Sequence, residues 1–405
     1  MIERKRYISK IEPFIQKPIV KVITGIRRCG KSTLLEQIIQ VLITTKAVRE
    51  NHIIFINKEL LEFDTIRDYK DLHAYVSGIC KQPDTMYYLF IDEIQEIEAW
   101  EKAITSFLAE KKYDIYITGS NARLLSSELA TLLSGRYIEC AMQTLTFLEY
   151  TTIANLQQQD MSVFNSYMIY GGFPGIHHVV LEQSVVRQYL QAIYSTVLLK
   201  DVVLKNSIRD VAMLDVIAKY VIDNCGNITT AKSISLYMKS QKRSISIDTV
   251  LQYLYFCCDA HIFEKVQRYD IKGKRVLETH EKYYMGDVGF KLATVGYRPQ
   301  DISGQLENIV YLELRARGFR VHVGKVDDKE IDFVAEKDTE KLYIQVCTSL
   351  ANEQVVEREY ASLEAVKDYY PKLVLSLDRG FETSRNGIRW MNIQDFLLEE
   401  KESNY

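Results

Sequence analysis

The sequence predicts an α/β protein: a parallel sheet covered on both faces by helices, then a helix-rich segment, then a smaller α/β module. Two observations carry this reading. Four apolar runs of strand length recur between residues 19 and 119, separated by stretches with apolar residues at helical spacing, the pattern of strands buried on both faces. The 405 residues, 47% hydrophobic and 26% charged, fit a globular chain too long for one ordinary domain.

The runs are IVKVITG (19–25), HIIFIN (52–57), YYLFID (87–92) and YDIYITG (113–119), and STLLEQIIQVLITT after the first reads as a helix. Only 6 Pro and 18 Gly leave little room for flexible linkers, so the domains should abut. The first is expected over 1–206, a parallel sheet with a helical extension. In 207–285, RDVAMLDVIAKYVIDNCG predicts a helix ending at Gly226. TTAKSISLYMKS and SIDTVLQYLYFCCDA predict two more, each opened by a Thr or Ser cap. IFEKVQRYDIKGKRVLETHEKYYMGD predicts a hairpin turning near Lys272–Gly273. Three short helices and a hairpin make a winged helix-turn-helix. Over 286–405 the chain returns to α/β, with a helix in GQLENIVYLELRARG and strands in EIDFVAE, KLYIQVC and LVLSLD.

Charge is uneven. Residues 1–206 balance, 207–285 carry +3 and 286–405 carry −6, giving the total of −3. No global basic field is present, and the middle segment alone leans basic. Seven scattered cysteines without C-x-x-C spacing argue against disulfides or structural zinc and for reduced thiols. MIERKRYISK lacks the apolar core of a signal peptide, and no run of 18 apolar residues occurs. The expectation is a soluble cytoplasmic protein with no membrane partner.

The strongest motif is Gly25-Ile26-Arg27-Arg28-Cys29-Gly30-Lys31-Ser32, which fits G-x-x-x-x-G-K-S between an apolar strand and a helix. Glycines let the backbone wrap a phosphate, and loop amides join the helix N-terminus in holding the anion. Lys31 would sit on the β- and γ-phosphates and Ser32 on Mg²⁺; the binding set runs on to Thr33. Asp92, closing the strand YYLFID, would support the same metal, and Glu93 would orient or deprotonate the attacking water. Asn121, just past the run 113–119, is placed to sense the γ-phosphate. Transition-state charge calls for an arginine: Arg136 in LLSGRY, near the site or at a subunit border, with Arg123, Arg27 and Arg28 as the other candidates. Cys29 inside the loop suggests sensitivity to oxidation.

Residues 20–140 resemble the ATPase module of the AAA class. Gly25–Ser32 corresponds to Walker A, Leu89–Glu93 to Walker B and Asn121 to sensor 1. TGIRRCGKSTLL, FIDEIQEIEAWE, YITGSNARLLSSELATLLSGRY, YGGFP, EIDFVAE and YIQV extend the likeness to prokaryotic AAA-type ATP-binding proteins with a C-terminal domain of unknown function. The resemblance implies a P-loop NTPase sheet, a winged helix and a small restriction-endonuclease-like domain. It implies ATP and Mg²⁺ as ligands, and ATP hydrolysis whose nucleotide state regulates the C-terminal region. ATP over GTP rests on this resemblance, since no N-K-x-D motif is present.

The winged helix suggests double-stranded DNA as a partner. Ser244, Ser246, Asp248, Thr249 and Gln252 would face bases, while Lys239, Lys242, Arg243, Lys272, Lys274 and Arg275 would hold phosphates. In 286–405, Glu307, Asp332 and Gln345 outline a nuclease metal site. The lysine expected two residues after Gln345 is replaced by Cys347, so a degenerate domain is expected. Two alternatives stand beside the regulated ATPase: a nucleotide-gated signalling switch with a protein partner, and an ATP-regulated metal-dependent nuclease. An oligomer is compatible with all three. His177-His178 after GGFP lacks a third ligand nearby, and GGFP itself reads as a bend between helices.

Overall fold

The computed structural model describes residues 2–82, 85–120, 133, 135–153, 156, 160–380 and 384–399. The chain divides into two compact units, residues 1–142 and 143–405.

In the first unit a short helix α1 (Lys5–Ile11) precedes β1 (Val20–Thr24), α2 (Lys31–Lys46), β2 (Ile53–Asn57), α3 (Tyr69–Ile79), β3 (Tyr87–Asp92), α4 (Trp100–Glu110), β4 (Tyr113–Gly119) and β5 (Tyr137–Ala141). The strands form one parallel sheet in the order β2-β3-β4-β1-β5. β1, β3 and β4 are buried along their whole lengths, which is why the sequence shows continuous apolar runs there. Val20, Val22, Leu89, Ile91, Ile115 and Ile117 share one core with Leu72 and Val76 of α3 and Ala103, Ile104 and Phe107 of α4. The alternate residues Lys21, Phe90, Asp114 and Tyr116 hold a polar island. Fully buried Lys21 pairs with fully buried Asp114. Asp114 also accepts the Gln16 amide at 2.9 Å and the Tyr116 hydroxyl at 2.8 Å, and Phe90 stacks on Tyr116 at 4.4 Å.

The expected strands match β1 to β4 to within a residue. Pairing brings Thr24, Asn57, Asp92, Gly119 and Ala141 to one edge of the sheet, the carboxyl edge, where ligands bind in open α/β sheets.

The second unit opens with α5 (Phe147–Ile153), α6 (Met161–Tyr170) and α7 (Gln183–Thr196). Next come α8 (Val211–Asp223), α9 (Ala231–Ser240), α10 (Ile247–Asp259) and the antiparallel hairpin β6 (Phe263–Asp270) and β7 (Arg275–Met285). After α11 (Gly289–Thr294) follow α12 (Ile302–Ala316), β8 (Arg320–Val326), β9 (Lys329–Lys337), β10 (Glu340–Val346), α13 (Glu353–Glu364), β11 (Lys372–Ser376), β12 (Arg389–Asn392) and α14 (Ile393–Leu398). The three helices and hairpin stand in the order expected, but the hairpin is not a free wing. β6 pairs in parallel with β8, so it joins a seven-stranded sheet of order β12-β11-β10-β9-β8-β6-β7. The expected boundaries at 206 and 285 both fall inside this second unit, and the latter cuts its sheet.

GGFP has a packing explanation. The buried carboxylate of Asp287 accepts from the Gly172 and Gly289 amides at 2.8 Å each and from the Thr144 hydroxyl at 2.7 Å. Gly171 has φ +78, and a Cβ there would lie 1.8 Å from Asp287 Oδ1. The bend therefore requires glycine. Among the described residues no helix is long and apolar enough to cross a membrane.

Candidate functional site

The loop between β1 and α2 turns on three left-handed residues: Gly25 at φ +148, Arg28 at +71 and Gly30 at +103. A Cβ on Gly25 would come within 2.3 Å of the Met142 carbonyl oxygen, so only glycine fits. Gly30 caps α2 without a side chain, leaving the first amides of a 16-residue helix to an anion. Lys31 folds back over the loop and donates to the carbonyls of Gly25 at 3.0 Å and Ile26 at 3.2 Å. Ser32 and Thr33 are half-buried in the first turn of α2. Arg27 lies 3.6 Å from Glu59, and Arg28 is exposed.

Asp92 and Glu93 stand at the carboxyl edge. Asp92 is fully buried; its Oδ1 accepts from the Thr118 hydroxyl, while Oδ2 has no partner among the described residues. A buried, orphaned carboxylate oxygen beside a phosphate-binding loop suits a hard divalent cation, which takes oxygen ligands. Asp92 and Ser32 are the residues that would hold Mg²⁺. Glu93 sits at φ +54, a conformation costly for a side chain this size and typical of functional sites. Its carboxylate lies 3.8 Å from the Lys31 ammonium and accepts from Gln95, and its amide donates to Thr118 Oγ1 at 3.0 Å.

Thr118 was not among the residues singled out in the sequence. β4 lies between β1 and β3, so one hydroxyl from its last turn serves both acidic residues: it donates to Asp92 and accepts from Glu93. Thr118→Val keeps the shape and orphans both groups. Its turnover is expected to fall about tenfold, or ~1.4 kcal/mol of barrier, with ATP affinity little changed. Wild-type phosphate release by this variant would remove Thr118 from the machinery. Arg4 was missed as well. Its buried guanidinium donates to the Cys29 carbonyl at 3.3 Å and its amide to Gln37 at 2.9 Å, tying the N-terminal segment to the loop.

One expectation narrows and another changes. Arg136 is exposed and precedes Tyr137, which pairs with Val20 at the start of β1. About 15 Å of strand therefore separates it from the loop after Thr24, and the sheet does not bring it to its own chain's Lys31 and Glu93. Cys29 is fully buried, and burial pushes its thiol up despite the opposing pull of Lys31 and Arg4; a buried thiol of this kind is unreactive. Asn121 and Arg123 lie outside the described residues.

In the second unit, Glu307 of α12, Asp332 of β9 and Gln345 of β10 do converge. Gln345 accepts the Asp332 amide at 3.3 Å, and Asp332 Oδ2 accepts the Val346 amide at 2.8 Å. The sequence reading missed what fills the gap between them. Lys282 of β7 reaches Glu330 at 2.8 Å, Glu307 at 3.3 Å and Asp332 at 3.9 Å. Burial works against its charge, but Glu307, Asp332 and Glu330 outweigh it and hold the ammonium above the ordinary lysine value. Burial, with Glu307 beside it, pushes the Asp332 carboxyl well up. Among the described residues no group of three or more His, Cys, Asp or Glu is arranged to hold a metal.

The residues expected to meet DNA are partly committed elsewhere. Ser246 caps α10 through the Thr249 amide at 3.1 Å, and its hydroxyl bonds that of Thr249 at 2.8 Å. Lys272 is paired with Asp327 at 2.6 Å, and Arg275 lies 4.0 Å from Asp270. The His177 ring lies tilted against that of Tyr150, centroids 4.7 Å apart, and burial depresses it to about 4, which suits packing.

A parallel sheet whose first strand feeds a glycine loop and helix, with an acidic pair on a nearby strand end, defines a nucleotide-binding P-loop ATPase domain. The AAA domain family matches residues 17–151 and a domain of unknown function (DUF8612) matches residues 161–301. An uncharacterized protein of Haemophilus influenzae is 35% identical over 402 residues, covering 98% of this chain and 99% of that one. The chain belongs to the family of that protein. An uncharacterized protein of Methanocaldococcus jannaschii is 29% identical over 388 residues, 90% of this chain and 83% of its own. Among solved structures, the Walker-type ATPase of Pyrococcus abyssi aligns with a TM-score of 0.49 at 14% identity, covering 73% of this chain and 96% of its own.

Proposed function

We propose that the protein is a Mg²⁺-dependent ATPase. The observation that carries this is the buried arrangement at the carboxyl edge: Lys31 facing Glu93, and Asp92 with one oxygen anchored by Thr118 and the other without a partner among the described residues. ATP binds through the loop amides and Lys31. Mg²⁺, when bound, neutralises phosphate charge. Asp92 and Ser32 hold the metal, and Glu93 takes a proton from the attacking water. In the free enzyme Lys31 is occupied by loop carbonyls and Glu93. The triphosphate draws it away, leaving Glu93 for water. An arginine completing the site comes from another copy, with Arg136 as the candidate. The nucleotide state governs the second unit; the 35% identical relative keeps both units in one chain over its full length.

The second unit is read as non-cutting. Lys282 already neutralises the carboxylates a metal would need, and a neutral Gln345 stands where a carboxylate binds metal better. The test combines calorimetric titration of ATP·Mg²⁺ with phosphate release, with and without duplex DNA, and a plasmid gel. Saturable binding is expected for the wild type and none for Lys31→Ala, with no nicking by either protein in Mg²⁺. Undiminished binding by Lys31→Ala would overturn the site. Metal-dependent nicking lost in Asp332→Ala would restore the nuclease.

A further inference from the structure

We propose that the solvent face of α10, with the basic turn before it, is a docking site for an acidic amphipathic helix of a partner protein. The argument uses residues of α9, α10 and the turn between them and does not rest on the reading of the nucleotide site.

α10 buries Val250, Tyr253, Leu254 and Cys257. The opposite face of a surface helix is ordinarily polar. Here it carries Ile247, Leu251 and Tyr255 at i, i+4 and i+8, exposed to 45%, 51% and 57%. Four-residue spacing puts them in one stripe about 12 Å long. On α9, packed beside it, Leu236 and Tyr237 are also exposed. An apolar stripe of this kind marks an interaction surface.

Charge chooses the occupant. Lys232, Lys239, Lys242 and Arg243 are exposed and make no ion pair among the described residues. Three of them line the turn that leads into Ile247. The positive end of the α10 dipole points the same way, and 207–285 is the segment with a positive surplus. The complement is a helix with leucine-type anchors at helical spacing and carboxylates toward the turn, the helix-in-groove mode with charge fixing its register.

Duplex DNA fits less well. Base reading needs polar groups along the helix face, yet apolar side chains hold the middle of it. The Ser246 and Thr249 hydroxyls serve the cap, and Ser235 donates to the Ile245 carbonyl at 2.9 Å.

The test is fluorescence anisotropy with the full chain and a labelled helical peptide of about five turns, leucines at i, i+3, i+4 and i+7 and glutamates elsewhere. Saturable binding is expected, weakened at least about tenfold by Leu251→Glu and also by Tyr255→Ser. Reversing Lys239, Lys242 and Arg243 to glutamate should weaken it and flatten its salt dependence. A peptide with lysines in place of glutamates should not bind. Thermal melting checks that the variants fold, and all titrations are run without nucleotide, so a failed ATP site leaves the result readable. The proposal is overturned by no saturable binding of the glutamate peptide, or by equal affinity in Leu251→Glu. Tighter binding of a duplex DNA that Leu251→Glu abolishes would overturn it too, as would a dimer dissolved by that substitution.

Discussion

Glu93→Gln is expected to bind ATP·Mg²⁺ at least as tightly as the wild type while turning it over about a hundred-fold more slowly, the range of a lost general base. The asymmetry follows from geometry. The Glu93 carboxylate lies 3.8 Å from Lys31, so in the free enzyme it competes with phosphate for that ammonium and adds negative charge beside the triphosphate. The amide keeps the shape and removes both effects. It cannot take a proton from water, so the chemical step loses its base. Titration calorimetry and phosphate release on the same preparation separate the two. Wild-type turnover in Glu93→Gln would remove Glu93 from the reaction.

Asp114→Ala carries the largest expected effect on stability. Lys21 and Asp114 are both fully buried, and the carboxylate also satisfies the Gln16 amide and Tyr116 hydroxyl. Removing it leaves a cation and two donors stranded under the sheet, at a cost of about 3–5 kcal/mol. Burial already lowers the Lys21 ammonium below its ordinary value of 10.5, with Asp114 opposing. In the variant that opposition is gone. The unfolded chain then binds a proton that the folded chain does not, so stability should rise with pH toward 10.5. The deficit in urea midpoint should therefore shrink at alkaline pH, and Lys21→Met combined with Asp114→Asn should recover most of it. A midpoint unchanged from wild type at neutral pH would show that the island contributes nothing.

Legibility in the sequence followed the range of the interactions. The phosphate loop is eight consecutive residues with its strand and helix on either side, so sequence order alone builds it. The acidic pair Asp92–Glu93 was readable for the same reason: an apolar run ending in two carboxylates exits a buried strand at the carboxyl edge. Thr118 was not, because its role depends on β4 inserting between β1 and β3, a strand order that spacing does not record. For Arg136 the sequence left two places open, near the site or at a subunit border, for the converse reason. A residue just before a strand is local knowledge, but which edge of the sheet it reaches is set by the register of β5 on β1.

The same division holds in the second unit. The three helices and hairpin of 207–285, the helix at Ile302–Ala316 and the strands β9, β10 and β11 were expected from periodicity and caps. The ammonium among those carboxylates belongs to Lys282, on a strand 65 positions before Cys347, in a sheet joined by the parallel pairing of β6 with β8. By itself the sequence determined the parallel sheet, the phosphate loop, the acidic pair and the order of elements. All of these rest on local apolar pattern and neighbouring residues. Only the tertiary structure decided which side chains share an edge, which carboxylates are already neutralised and which apolar helix face is exposed, because strand order and burial join residues far apart in the chain.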